Sequence, residues 1–322
     1  MSYENQIAND TREKIAKVQR QLDELASPPK QIENTVFEFI QAVCDKHGAF
    51  EQRCRKMSIG VGGKEMITKS ECKKCLEEKL ARLKSDEDSI ARRRRESEIM
   101  RLMGNLNLPQ RFAPSTLDNY EPANQDAARC LKLCKAYAAK WADRRKQGGG
   151  MVMCGKPGTG KNHLALAIAK HVINEHQHSA MFTTALRVAR AYKSIWGKNA
   201  ERTEYEVISA YTDPDLLIID EIGVQFGSEA EKLILFEVIN TRYEQMKPTI
   251  LISNLPLEEL TAFIGERVID RMNDGGGCTL AFTWVSTLSR ASYRRGHHHL
   301  RTTLELTLTP SRHGLVLTRK PR

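Results

Sequence analysis

No stretch of the 322-residue chain approaches the roughly 18 consecutive apolar residues that a membrane-spanning helix needs, although 40% of its residues are hydrophobic. The amino terminus, MSYENQIANDTREK, is polar from its first residues and is no secretory signal. These two absences make a soluble, cytoplasmic protein with no membrane partner the expectation. No internal repeat runs through the chain. The amphipathic stretch 11–25 places Ile15, Val18, Leu22 and Leu25 on one helical face and stops at Ser27-Pro28-Pro29, which is too short for a coiled coil. The eight cysteines of an intracellular chain do not make a disulfide scaffold. Four of them, Cys130, Cys134, Cys154 and Cys278, are scattered among apolar neighbours as buried thiols. Acidic residues are the minority, 40 against 50 Lys and Arg, and the net charge of +10 suits a polyanionic partner, nucleic acid first. A solvated basic face gives the same balance.

What is present falls into segments. Residues 1–103 form an N-terminal partner-binding domain, with a short helix predicted over Glu33 to Val43 and a long charged helix over Cys75 to Met103. Arg92, Arg93, Arg94 and Arg95 wrap all round that helix, either as a solvated surface or as a DNA or RNA contact. Residues 104–125 read as a linker, because GNLNLPQRFAPSTLDNYEP is rich in prolines and polar turn residues. Residues 126–285 begin with a helix over Asp126 to Lys146, closed by Gly148-Gly149-Gly150. Strands and helices then alternate: MVMCG, a helix over 161–175, AMFTT, a helix over 185–196, LLIID, a helix over 229–245 and TILISN. Such alternation predicts a parallel sheet flanked by helices. The basic tail, 286–322, has one acidic residue after Gly296 and no helical period, so it is expected to be disordered. His297, His298 and His299 within it are incidental or part of a tag.

The chemistry concentrates in four places. Gly155-Lys156-Pro157-Gly158-Thr159-Gly160-Lys161 follows an apolar strand, and Asn162 and His163 open the helix after it. Glycines there let backbone N–H groups turn inward round a phosphate, the helix N-terminus adds positive character, and Lys161 reaches the β- and γ-phosphates. The plainer reading is a tight strand–helix turn. Asp220 ends the apolar strand DLLIID and is placed to hold magnesium, together with Asn162 where Ser or Thr is usual. Glu221 next to it would polarise an attacking water, unless the pair simply caps the next helix. Asn254, ending the strand Thr249 to Ser253, either orients that water or serves as a turn residue. In GERVIDRM, Arg267 and Arg271 lie four apart on one helical face, a solvated edge unless the protein assembles.

Cys44-x2-His47 and Cys72-x2-Cys75 are two ligand pairs, each spaced for one edge of a tetrahedral zinc site; unligated thiols are the alternative. Cys54 is a fifth candidate and could replace His47. Gly60, Gly62 and Gly63, between the pairs, fit the turn of a small β-hairpin. Arg53, Arg55, Lys56, Lys73 and Lys74 would allow phosphate contacts. On the helix after AMFTT, Arg187, Arg190, Tyr192, Lys193 and Trp196 mix cations with aromatics, as single-strand binding grooves do. Leu186, Val188 and Ala189 of the same helix are expected to face inward, and Tyr192 or Trp196 could join them.

The Asp220–Glu221 pair, the strand-terminal Asn254 and the late arginines together resemble an AAA+ ATPase. More narrowly, GKPGTGKNHLA, LLIIDEIG and GERVIDRM resemble the DnaC-type helicase loaders and their IstB-like relatives. LPQRFAPSTLDNY is similar to the segment leading into the core of that group, so the resemblance runs from about residue 105 to Trp284. It implies an α/β P-loop AAA+ sheet behind a small helical N-terminal domain with a zinc element of a kind found in phage and prophage DnaC-like proteins. The cofactors implied are ATP, Mg2+ and Zn2+. The implied activity is slow, partner-regulated ATP hydrolysis, since loaders of this type also carry Asn after the loop lysine. The implied partners are a replicative DNA helicase, single-stranded DNA and further copies of the chain, assembled on ATP through Arg271 or Arg267. In the family an arginine near the end senses nucleotide. Here VSTLSRA intervenes after Ala281 to Trp284, leaving Arg290 or Arg294 for that role. An IstB-like transposition helper acting on duplex DNA is the alternative within the fold, and a non-hydrolysing adaptor the alternative outside it.

Overall fold

The computed structural model describes residues 3–30, 32–33, 35–59, 64–196, 202–223, 229–285, 306–311 and 314–319. The chain divides into two units, Met1–Glu98 and Ile99–Arg322.

The first unit holds helix α1 (Tyr3–Ala26), strands β1 (Thr35–Cys44), β2 (Gly48–Ile59) and β3 (Lys64–Lys69), and the start of helix α2 (Lys73–Asn105). Val18 and Leu22 of α1 bury against Leu76 of α2, with Leu25, Leu80 and Leu83 around them. The predicted α1 face is therefore the one that packs. The helix expected over Glu33 to Val43 is instead strand β1. Val36, Phe37, Phe39, Ile40 and Val43 are β-branched or aromatic, and β1 pairs antiparallel with β2 from Thr35↔Met57 to Cys44↔Gly48. The unit is thus helix, three-stranded sheet and helix, not all helical. Strands β2 and β3 pair antiparallel as the expected hairpin, while Gly60, Gly62 and Gly63 lie outside the described residues.

The second unit is built on a five-stranded, wholly parallel sheet. Its strands are β4 (Met151–Gly155), β5 (Ala180–Thr184), β6 (Leu216–Ile222), β7 (Thr249–Ser253) and β8 (Cys278–Phe282), in the order β5-β6-β7-β4-β8. The strands are largely apolar because both faces are covered. On one face, Met151, Met153, Leu216, Ile218, Ile250, Ile252 and Phe282 pack beneath helices α3 (Gln125–Ala139) and α5 (Lys161–His176) through Cys134, Leu164 and Ile168. On the other, Val152, Cys154, Leu217, Ile219 and Leu251 meet α6 (Ala185–Lys193), α8 (Glu229–Glu244) and α10 (Glu266–Asn273) through Val188, Ile234, Val238 and Ile269. Cys130, Cys134 and Cys154 are buried, as their neighbours implied, whereas Cys278, at the start of β8, is only partly buried.

Four details depart from expectation. The helix over 126–146 breaks at Lys140, giving α3 and the short α4 (Trp141–Gln147). Residues 104–125 are no free linker: Leu106 and Tyr120 are buried in the main core, and Phe182 N–H donates to the Leu106 carbonyl. Helix α7 (Glu204–Thr212) was unforeseen, though Thr203 and Glu206 form a capping box at its start. The tail carries an antiparallel hairpin of β9 (Leu306–Ser311) and β10 (Gly314–Arg319), where leucine alternates with threonine at strand spacing. Arg290, Arg294 and His297 to His299 lie outside the described residues. The remaining helix, α9 (Leu257–Ile264), joins β7 to α10. No helix among the described residues is long and apolar enough to cross a membrane.

Arg242, near the end of α8, is fully buried, and among the described residues no carboxylate pairs with its guanidinium. It donates to the carbonyls of Tyr211, Thr212, Pro214, Asp215 and Pro248 and to Thr249 Oγ1. Burial pushes its pKa down to about 9. One side chain thereby ties the turn before β6 to the turn before β7. Arg242→Leu strands those acceptors in the interior and is expected to cost on the order of 3–5 kcal/mol in urea unfolding, with Arg242→Lys losing a large part of that.

Candidate nucleotide site and metal centre

Polar chemistry in this sheet appears at the carboxyl ends of its strands, and the predicted residues collect there. After β4 the loop turns on Gly155, Gly158 and Gly160, all at positive φ (114°, 70° and 95°). Gly155 N–H donates to the Leu255 carbonyl and Lys156 N–H to that of Phe282, so the loop is pinned to the chain beyond β7 and to β8. Thr159 Oγ1 closes it onto the Lys156 carbonyl at 2.8 Å. The first turn of α5 faces into the loop. Lys161 is 5% exposed, its ammonium folded onto the carbonyls of Gly155 and Lys156 at 2.7 Å each, and burial pushes its pKa down to about 8. Asn162 Nδ2 donates to Asp220 Oδ2 at 2.6 Å. His163 Nε2 bonds the Thr116 carbonyl at 2.8 Å, which ties this side chain to the segment ahead of the core.

That segment supplies a residue the sequence reading missed. Tyr120 lies against Gly160, so closely that a Cβ there would meet the ring at 2.5 Å, and its hydroxyl donates to the Thr159 carbonyl. The signal was available in LDNY, whose Asn119 and Thr116 bond each other in a compact turn that delivers the tyrosine.

Strand β6 ends in a bulge: its register with β7 shifts between Ile219 and Ile222. Asp220 remains buried at 9% exposure, while Glu221 turns outward at φ 61°, a left-handed conformation costly for a side-chain-bearing residue. Burial raises the Asp220 pKa, opposed by the Asn162 amide, the Glu221 N–H and the Lys161 charge. Gly223, at φ 89°, leaves room for the Leu255 side chain. Asn254 stands exposed at the end of β7, on the same edge of the sheet.

The two arginines of α10 differ. Arg267 is exposed. Arg271 bonds Asn240 Oδ1 of α8 and lies 5.1 Å over the Tyr243 ring, whose hydroxyl donates to Asp274. On α6, Val188 and Ala189 face inward as expected, but Leu186 is exposed at 38%. Tyr192 packs on the core and bonds Glu204, so its ring is not a free stacking surface. Arg187 and Arg190 are exposed, and the Trp196 side chain lies outside the described residues.

In the N-terminal unit the two ligand pairs meet. Cys44 ends β1 and His47 lies in the three-residue turn closed by Gly48 at φ 75°, while Cys72 immediately precedes α2 and Cys75 lies in its first turn. The ligand atoms lie within 4.8 Å of one another; Cys44 Sγ is 3.4 Å from Cys75 Sγ, and His47 Nδ1 is 3.3, 3.7 and 3.8 Å from the sulfurs of Cys75, Cys44 and Cys72. Tetrahedral zinc with bonds of about 2.0–2.3 Å sets its ligand atoms about 3.3–3.8 Å apart, so this group fits the ion. Cys54 is buried on β2 and is not among the four. His47 Nε2 bonds Glu78 Oε1 at 3.0 Å, and Lys46 donates to the other oxygen. A carboxylate on the far nitrogen of a histidine fixes which nitrogen faces the metal. Backbone N–H groups of Lys46 and His47 draw the Cys44 pKa down to about 6, and its thiolate drives that of Cys75 up to about 11.

A phosphate-binding loop on the fourth strand of the order β5-β6-β7-β4-β8, with an Asp-Glu pair ending the second, defines a P-loop AAA+ ATPase domain. The chain belongs to the IstB-like ATP-binding protein family, whose model matches residues 63–274. It is similar to the replicative helicase loader DnaC of Buchnera aphidicola, 32% identical over 199 residues that span 62% of this chain and 79% of that one. It is also similar to DnaC of Escherichia coli, 29% identical over 204 residues, 63% of this chain and 81% of the relative. Among solved structures, that of the DnaC helicase loader aligns over 54% of this chain and 99% of its own, at 21% identity and a TM-score of 0.48.

The tyrosine under the loop generates a test. Gly160→Ala forces a methyl group into the Tyr120 ring at a left-handed position and is expected to lower stability by about 1–3 kcal/mol. Adding Tyr120→Ala removes the clash but not the backbone strain. The double variant should therefore lose less than the two single losses summed, as read by thermal unfolding in a double-mutant cycle.

Proposed function

We propose that the protein loads a replicative DNA helicase onto single-stranded DNA under the control of ATP, in the cytoplasm and in a phage or prophage setting. The observation that carries this reading is the convergence of Lys161, Asn162, Asp220 and Glu221 at one end of the sheet, in a chain whose relatives are named replicative helicase loaders.

The residues present fit a magnesium nucleotide. Gly155 to Lys161 offer backbone N–H groups to the phosphates, with the start of α5 behind them, and Asp220, which the Asn162 amide bonds, stands where the ion would be held. Magnesium would neutralise phosphate charge. Glu221, lifted from the strand by the bulge, would take the proton of a water that Asn254 helps to orient. Arg267, exposed on its helix, is the better placed of the two arginines to enter a neighbouring copy's site, because Arg271 is engaged within its own chain. The basic chain would hold single-stranded DNA through exposed cations such as Arg187 and Arg190. The N-terminal unit, closed by zinc on Cys44, His47, Cys72 and Cys75, would dock the helicase. Hydrolysis would be slow and would release the loader.

Light scattering on a size-exclusion column, with the host's replicative helicase and with or without ATP, tests this. An ATP-sensitive complex of fixed stoichiometry is expected. DNA binding without such a complex favours transposition on duplex DNA, as an IstB-like helper. Glu221→Gln should bind ATP but lose at least about 100-fold in steady-state turnover; unchanged turnover would point to an adaptor that does not hydrolyse. For the metal centre, elemental analysis is expected to find one zinc per chain. Cys72→Ser, or treatment with a strong chelator, should remove it and unfold the N-terminal unit while leaving nucleotide binding intact.

A further inference from the structure

We infer that Asn162 is a clamp on Asp220 and not a ligand of the metal ion. A carboxylate only accepts hydrogen bonds, so the end of the Asn162 amide that faces Asp220 Oδ2 at 2.6 Å is its NH2 group. The other oxygen, Oδ1, accepts from Glu221 N–H at 2.7 Å. Both oxygens of a carboxylate that is 9% exposed are thus held by donors from this chain. Lys161 does not perform that service, since its ammonium is spent on the carbonyls of Gly155 and Lys156. Take away the amide and Asp220 keeps one donor in the ligand-free protein, while a bound cation supplies the stabilisation that the amide gave.

The same geometry argues against a ligand role. Neighbouring ligand oxygens on octahedral magnesium, with bonds of about 2.1 Å, lie roughly 3 Å apart. For Asn162 Oδ1 to share an ion with Asp220 Oδ2, the amide oxygen would have to take the place now held by its nitrogen, which breaks the 2.6 Å bond. A serine or threonine hydroxyl escapes this conflict, because one atom can donate its hydrogen to the carboxylate and a lone pair to the ion. An asparagine must choose, and here it bonds the carboxylate. Asn162 is therefore a positioning residue, and the ion depends on Asp220 and the nucleotide.

Two measurements on the full chain decide it. The first needs no ligand: thermal unfolding of Asn162→Ala, Asp220→Ala and the double variant. The clamp predicts that Asn162→Ala shifts the midpoint by less than half as much once Asp220 is gone; additive shifts would overturn it. The second titrates Mn2+ against the chain with β,γ-methylene-ATP and reads free Mn2+ by electron paramagnetic resonance. The expected results are affinity within three-fold of wild type for Asn162→Ala and several-fold tighter binding for Asn162→Thr. A fall of more than three-fold for Asn162→Ala makes the amide a ligand and overturns the clamp. This second arm rests on the ATP-dependent reading. Failure of the wild type to bind Mn2+ with the nucleotide would sink that reading, and the unfolding cycle would still decide the clamp.

Discussion

The parallel ladder of β6, β7, β4 and β8 is the constraint from which the rest of the second unit follows. Helices cover both faces, so the side chains along the middle of those strands are largely apolar and the backbone polar groups pair mainly with neighbouring strands. Charge can enter only where the strands stop. That is why the glycine loop, the Asp220–Glu221 pair and Asn254 stand in a row at the carboxyl ends, and why Arg242 does its tying at the opposite ends. The bulge in β6 is the one place where the ladder yields, and there it turns a glutamate toward solvent while its neighbour stays inside.

Much of this could be read before any coordinates. Uninterrupted apolar runs such as LLIID and TILIS admit a strand buried on both faces and little else, and a glycine-rich turn between strand and helix has few other uses. What escaped was decided by packing. Strand β1 lacks a clean alternation because six of its ten residues are exposed on one side or the other, so its period resembled neither element. The segment 104–125 has the composition of a linker, and only the burial of Leu106 and Tyr120 makes it part of the core. Helix α7 announced itself through Thr203 and Glu206, a signature that nine residues of weak periodicity concealed. At the site, spacing revealed which residues carry chemistry but not how they are arranged. It could not show that Asn162 presents its nitrogen to Asp220, or that Arg271 is occupied while Arg267 is exposed.

The N-terminal unit follows a different economy. Its hydrophobic cluster is small, centred on Val18, Leu22 and Leu76, and its sheet exposes Val36, Phe39, Val43 and Ile67. Three strands and two helices with so little buried apolar surface have need of a staple. The hairpin turn and helix start that bring Cys44, His47, Cys72 and Cys75 within 4.8 Å of one another are where a metal ion would supply one, and Glu78, bonded by Lys46, bonds the histidine from behind. The family match begins at residue 63, so α1, β1 and β2 precede it.

The strand order also governs how the protein can be made. The four clustered Cys and His residues lie between residues 44 and 75, so the whole cluster has been synthesised early in the chain. The phosphate loop is completed late. Strand β4, which carries it, finds both of its partners in β7 and β8, and Phe282, which receives Lys156 N–H, is the last residue of the sheet to be synthesised. A nascent chain halted anywhere before that point carries the loop's residues without its contact to Phe282, and with at least one edge of β4 open to other chains. Nucleotide competence therefore arrives in a single late step, once nearly the whole sheet has been translated.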